Sequence, residues 1–208
     1  MNQQEHTVRV FGESVISVSP DQVRITLGVK TENPSVSQAQ AENTEAINKM
    51  ISALIQMGIP QQAIQTIVYQ IEPQYDYVDG KQVFRTYLIT HLLQVELNQI
   101  AMAGAVIDEA VENGANSVSN VQFTMRDKTE AQNEALAKAV QNAQVKAQAI
   151  TNSLSVSLNQ LPVWIKERSP SEPVRFNQVA LFDASSGTSI QPGLIEIRAE
   201  VEVLFEYA

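Results

Sequence analysis

Apolar and polar residues alternate over residues 194–207. Ile195, Ile197, Ala199, Val201, Val203, Phe205 and Tyr207 are interleaved with Glu196, Arg198, Glu200, Glu202, Leu204 and Glu206. A period of two over that length predicts a long β-strand with one dry face and one wet, mostly acidic face. Val23, Ile25, Leu27 and Val29, separated by Arg24, Thr26 and Gly28, predict a half-buried strand. Val8 and Val10 begin an earlier one; Gly12 breaks the run, and Val15, Ile16 and Val18 resume it. Residues 64–77 and 83–97 predict two strands around Asp79-Gly80, a two-residue hairpin signal. Pairing Val78 with Lys81 sets Ile71 opposite Leu88 and Ile67 opposite Leu92, with a bulge as the alternative register. In the second of these strands, residues of both parities are apolar. That predicts a central strand covered on both sides, or one face buried against another subunit.

Elsewhere the period lengthens. After Asn33-Pro34-Ser35, with Asn33 or Ser35 as cap, Val36, Ala39, Asn43, Ile47, Met50, Ile51 and Leu54 recur at three- and four-residue steps. Gly58 stands where a left-handed residue ends such a helix. Ile100, Ala103, Ile107, Ala110 and Val111 predict a second helix ended by Gly114, and residues 117–125 a short strand. Asp127 caps a third and longest helix running to about Leu154, whose narrow stripe is Ala131, Ala135, Leu136, Ala139, Val140, Ala143, Ala147, Ile150 and Leu154. A last hairpin or sheet edge starts at Leu161-Pro162-Val163-Trp164-Ile165.

Residues 166–193 change in texture. Ser/Pro- and Ser/Gly-rich stretches flank a small apolar patch at Val174, Phe176, Val179, Leu181 and Phe182, which predicts a long loop excursion. Long hairpins beside long helices predict an α+β fold, mostly antiparallel sheet packed against two long helices and one shorter one. The expected organisation is one domain over 1–208, divisible into subdomains at about 1–98 and 99–208.

Composition narrows the chemistry. The chain of 208 residues has no cysteine, which excludes disulfides, thiolate metal sites and Cys nucleophiles. A net charge of −9, with no Lys/Arg cluster, argues against nucleic acid as a partner. No run of apolar residues is long enough for a membrane span. The polar start, Met1 to His6, carries no secretory signal, so the chain is cytoplasmic as it stands or has lost a signal.

Of the two histidines, His6 falls in a frayed terminus and His91 at an apolar-parity strand position, the setting of a satisfied core or interface residue. No acid–His–nucleophile spacing, phosphate loop or nucleophile elbow appears. Glu196, Glu200, Glu202 and Glu206 read as a solvated face opposite Lys or Arg rather than a cation site. Asp108, Glu109 and Glu112 read the same way. Tyr69, Tyr75, Tyr77, Phe84 and Tyr87 concentrate around one hairpin, which predicts cross-strand packing or a subunit contact. No catalytic, cofactor-binding or metal residue is assigned, and no cofactor is expected.

Ordered segments carry a resemblance. Val10-Phe11-Gly12-Glu13 and Val18-Ser19-Pro20-Asp21 resemble the opening of SIMPL-domain proteins. So do Met57-Gly58-Ile59, Ile71-Glu72-Pro73-Gln74-Tyr75, Gly114-Ala115-Asn116, Ala135 to Val140, and Ile190-Gln191-Pro192-Gly193. A second glycine, usual in that opening, is replaced here by Glu13. The resemblance implies an α+β fold, extracytoplasmic placement in many members, ring- or channel-like homo-oligomers in some, and links to oxidative-stress defence. It carries no catalytic residues.

The expected function is therefore a non-enzymatic scaffold, envelope- or stress-related, acting through homo-oligomerisation. The alternative is a binding module for a small ligand or envelope component, using the 166–193 loop. On the last strand, Val201→Asp is expected to be severely destabilising and Glu202→Lys nearly neutral.

Overall fold

A computed structural model describes residues 6–168, 176–177 and 188–208. The chain divides into two compact units: Met1–Ser19, Arg126–Val179 and Gly193–Ala208 form the first, Pro20–Met125 and Ala180–Pro192 the second. Among the described residues there are eight strands, three α-helices and two 3-10 turns, and every strand pairing is antiparallel. The fold is α+β.

In the first unit, β1 (Thr7–Val18) pairs along its whole length with β8 (Leu194–Glu206), which carries β6 (Trp164–Arg168) and β7 (Phe176–Asn177) on its other side. The dry face of β8 is as the alternation requires, with Ile195 through Phe205 buried at every second position. Helix α3 (Thr129–Ser153) lies on that face. It buries Ala131, Ala135, Ala139, Ala143, Ala147 and Thr151, a repeat of four residues that keeps one small-residue line against the sheet.

Gly12 does not break β1. The strand runs straight through it, paired with Val201, and no tight turn forms at Gly12-Glu13. The reason for the glycine is α3: a Cβ there would lie 2.8 Å from the Ala143 Cβ and against the Ala139 carbonyl. Ser14 donates a hydrogen bond to the Ala135 carbonyl (2.6 Å), and Lys146 Nζ to the Phe11 carbonyl (2.9 Å), on either side of this approach. The N-terminal strand is also less frayed than expected, since the Tyr207 N–H donates to the His6 carbonyl (2.9 Å).

The second unit is a sheet in the order β3-β4-β2-β5, from β2 (Gln22–Asn33), β3 (Ile64–Val78), β4 (Lys81–Leu97) and β5 (Ser117–Thr124). Helices α1 (Val36–Gln56) and α2 (Ala103–Glu112) bury one face of it. Its core joins Val23, Ile25, Leu27 and Val29 to Leu93, Val95 and Leu97, with Ile47, Met50 and Leu54 of α1 and Val106 of α2. Each such fully buried side chain contributes about 1.5–3 kcal/mol.

Both helices end in Schellman motifs. For α1, Gly58 (φ +90°) donates to the Ile55 carbonyl and Ile59 to the Leu54 carbonyl. For α2, Gly114 and Ala115 repeat the pattern onto Val111 and Ala110. At the start of α1, Asn33 accepts from the Ser35 N–H (2.9 Å), while Ser35 holds the cap position without a side-chain cap bond. At α3 the Asp127 carboxylate accepts from the Thr129 N–H (2.8 Å).

The expected hairpin forms, with Asp79 (φ 50°) and Gly80 (φ 74°) both left-handed, as a type I′ turn demands. Val78 pairs with Lys81, but the simple register fails further along. Bulges at Arg85 and Ile67 bring Ile71 opposite Ile89 and Val68 opposite Leu92. β4 is central, between β3 and β2. Its odd-numbered face is buried at Ile89, Leu93, Val95 and Leu97, while Leu88 and Leu92 on the other face are half-buried.

Most of the expected 166–193 excursion, including its apolar patch at Val174, Val179, Leu181 and Phe182, lies outside the described residues. Its described ends belong to β6 and to residues 188–193. There Thr188 donates through its N–H (3.0 Å) and hydroxyl to the exposed Asp108 carboxylate, and these bonds hold Asp108 below the usual carboxylate range.

Candidate functional site

The β3–β4 hairpin outruns its sheet. β2 pairs with β4 only from Leu97 back to Tyr87, so residues 74–86 form a two-stranded ribbon with no third strand among the described residues. A ribbon of that kind is marginal in water unless its side chains pack across it. Here they do. On one face Tyr75 meets Phe84 edge-on with ring centres 6.0 Å apart, and Phe84 meets Tyr87 at 5.0 Å. Further down the same face Tyr69 stands edge-on to His91 at 5.1 Å.

The bulge at Arg85 re-aims that side chain sideways. Its guanidinium reaches Glu32 of β2 (3.2 Å) and Asp76 of β3 (3.7 Å), tying the base of the ribbon to the sheet. Packing leaves much of the aromatic face open: Tyr77 is 76% exposed, and Ile67, Tyr69, Ile71, Tyr75 and Phe84 are also exposed. β3 is moreover an edge strand, whose outer backbone groups pair with no other strand among the described residues.

His91 lies within this face and not in a catalytic setting. Its Nε2 shares a hydrogen bond with Thr66 Oγ1 (3.1 Å), its ring rests on Tyr69, and burial lowers its pKa below the ordinary 6.5. Among the described residues, no group of three or more His, Cys, Asp or Glu could hold a metal ion. Among the described residues no helix is long and apolar enough to cross a membrane.

The acidic face of β8 meets arginines, as expected, but one member is not solvated. Glu202 is 7% exposed. Its carboxylate lies 3.4 Å from Arg9 of β1 and 3.0 Å from Arg168 of β6. Each arginine reaches across β8 to an aromatic on the far strand, Arg9 over Trp164 at 5.7 Å and Arg168 over Phe11 at 4.7 Å. The near-neutral outcome expected for Glu202→Lys is therefore overturned, because a lysine there would face two cations. Local alternation signals this position as wet; what dries it are side chains from two other strands, Arg9 of β1 and Arg168 of β6.

These features define an α+β protein with two antiparallel sheets, three helices and an aromatic hairpin arm. The chain belongs to the SIMPL family, described as a protein of unknown function (DUF541), which matches residues 8–205. Among its relatives is the 26 kDa periplasmic immunogenic protein of Brucella melitensis, 28% identical over 217 residues, covering 99% of this chain and 86% of that protein. The Brucella abortus protein of the same description matches equally. The uncharacterized protein YggE of Escherichia coli K12 is 23% identical over 200 residues, covering 94% of this chain and 80% of YggE.

Proposed function

We propose that this protein is a non-enzymatic scaffold of the cell envelope that acts by self-association through the β3–β4 arm. The observation that carries the reading is the ribbon of residues 74–86, which projects past β2 with its aromatic face open and an edge strand beside it. A second copy is the partner that supplies matching strand and rings in one step. The setting of His91, committed to Thr66 and Tyr69, supports a structural rather than chemical role. The periplasmic description of the Brucella relatives supports an extracytoplasmic place. A stress-related role is supported by the family resemblance alone.

Light scattering of the purified chain at micromolar concentration tests the reading. Multi-subunit mass is expected, and the combined Tyr75→Ser, Tyr77→Ser and Phe84→Ser variant should run as a folded monomer. A strict monomer for the unaltered chain would reject the scaffold.

A further inference from the structure

The two-residue turn of the arm closes on the Val78–Lys81 pair, so the alternation of an antiparallel ladder turns the backbone groups of Asp76 toward β4 and those of Tyr75 and Tyr77 outward. The Tyr75 and Tyr77 side chains stand on the aromatic face, Glu72 and Asp76 on the other. Pro73 has no N–H to give, which confines strand addition on the arm to the stretch beyond it. A strand that fits there sets apolar side chains beside the two tyrosines and a cation beside the acids.

The other edges of the molecule differ in how well they meet that demand. A second β3 would put acid opposite acid. β5 has no charged residue from Ser117 to Thr124. The outer edge of β1 is closed at its middle by α3: Lys146 Nζ donates to the Phe11 carbonyl (2.9 Å), and the Glu13 N–H donates to Asn142 Oδ1 (3.2 Å). β6 is open on its outer side among the described residues and carries the complement. There Lys166 turns its backbone groups toward Glu202 of β8, while Ile165 and Glu167 turn theirs outward. Ile165, 48% exposed, shares a face with Val203; Lys166 is exposed on the opposite face.

We infer that the arm of one copy adds its β3 edge to the β6 edge of a second copy, a head-to-tail contact that rests on the self-association reading and names the element the arm meets. Antiparallel pairing of Tyr77 with Ile165 sets Asp76, which Arg85 holds only at 3.7 Å, opposite Lys166. It sets Tyr75, whose phenol can donate, opposite Glu167. Pro73 then falls past the end of β6.

Sedimentation velocity at micromolar concentration tests this on two variants of the full chain. The arm variant, Tyr75→Ser with Tyr77→Ser and Phe84→Ser, keeps its β6 edge. The edge variant, Ile165→Asp with Lys166→Gln, keeps its arm. Each alone should sediment as a monomer, and an equal mixture should form a one-to-one dimer, because one intact arm then meets one intact β6. An edge variant that assembles like the unaltered chain, or a mixture that stays monomeric, would overturn the inference and leave self-association through the arm standing. A monomeric unaltered chain would remove both. Since the chain has no cysteine, cross-linking gives a second readout: Tyr77→Cys and Ile165→Cys chains, mixed and oxidised, should form the mixed disulfide in at least about tenfold excess over either homodimer. Homodimers in excess would overturn the pairing even if the edge variant fails to fold.

Discussion

Glu202 lies under two arginines whose own side chains remain half in water. That asymmetry fixes what its replacement does. Glu202→Lys brings a third cation to a dry spot and should cost about 2–4 kcal/mol, read from denaturant midpoints. Glu202→Leu leaves both guanidinia free to turn outward to solvent, and should cost about 1 kcal/mol or less. Equal losses for the two would show that packing, not charge, governs the position. Ser155 offers a gain instead. It is the left-handed residue that ends α3, at φ 56°, with its N–H on the Asn152 carbonyl and that of Val156 on Thr151. α1 and α2 use glycine at the equivalent place, so Ser155→Gly should stabilise by about 1 kcal/mol. His91 sets a pH dependence. Its folded pKa is lowered by burial, so the unfolded chain takes up the proton first as pH falls. The stability from the neutral ring is complete above the ordinary 6.5 and is lost as pH drops through the lower folded value. Unfolding free energy measured from about pH 7.5 to about pH 5 should therefore fall more for the unaltered chain than for His91→Gln.

At the scale of elements, close approach dominates the first unit. Gly12→Ala would drive a methyl into α3 at Ala139 and Ala143, and overpacking of this kind costs about 1–3 kcal/mol. Thermal melts of Gly12→Ala matching the unaltered chain would mean that α3 can shift off the sheet. This is also where local pattern was readable and where it stopped. The dry face of β8, the amphipathic α1 with Gly58 behind it, and the Asp79-Gly80 turn follow from short-range periodicity and φ preference, because those forces act within a few residues. Gly12 looked like a break for the same reason: its cause is a helix more than 120 residues later. The register of β3 on β4 was ambiguous because both Ile67 and Arg85 stand outside the ladder, and nothing within a few residues marks either bulge. The aromatic face of the arm was legible as a concentration of rings, but not its overhang past β2, which depends on where β2 ends.

For the whole molecule, self-association would make stability a function of concentration. Mass action requires the melting temperature of the unaltered chain to rise with protein concentration, and that of the Tyr75→Ser, Tyr77→Ser, Phe84→Ser variant to stay level. Parallel melts at all concentrations for both would refute an assembly that contributes to folding. The pairing of β1 with β8 has a consequence of its own. β1 meets its partner only once β8 has been made, because Val8 lies against Phe205 and Ile16 against Ile197. Until then Thr7–Val18 travels as a bare, sticky ribbon. A newborn chain of this protein therefore carries β1 unpaired until β8 emerges, and a holdase chaperone bound to β1 would shield it until its partner strand arrives.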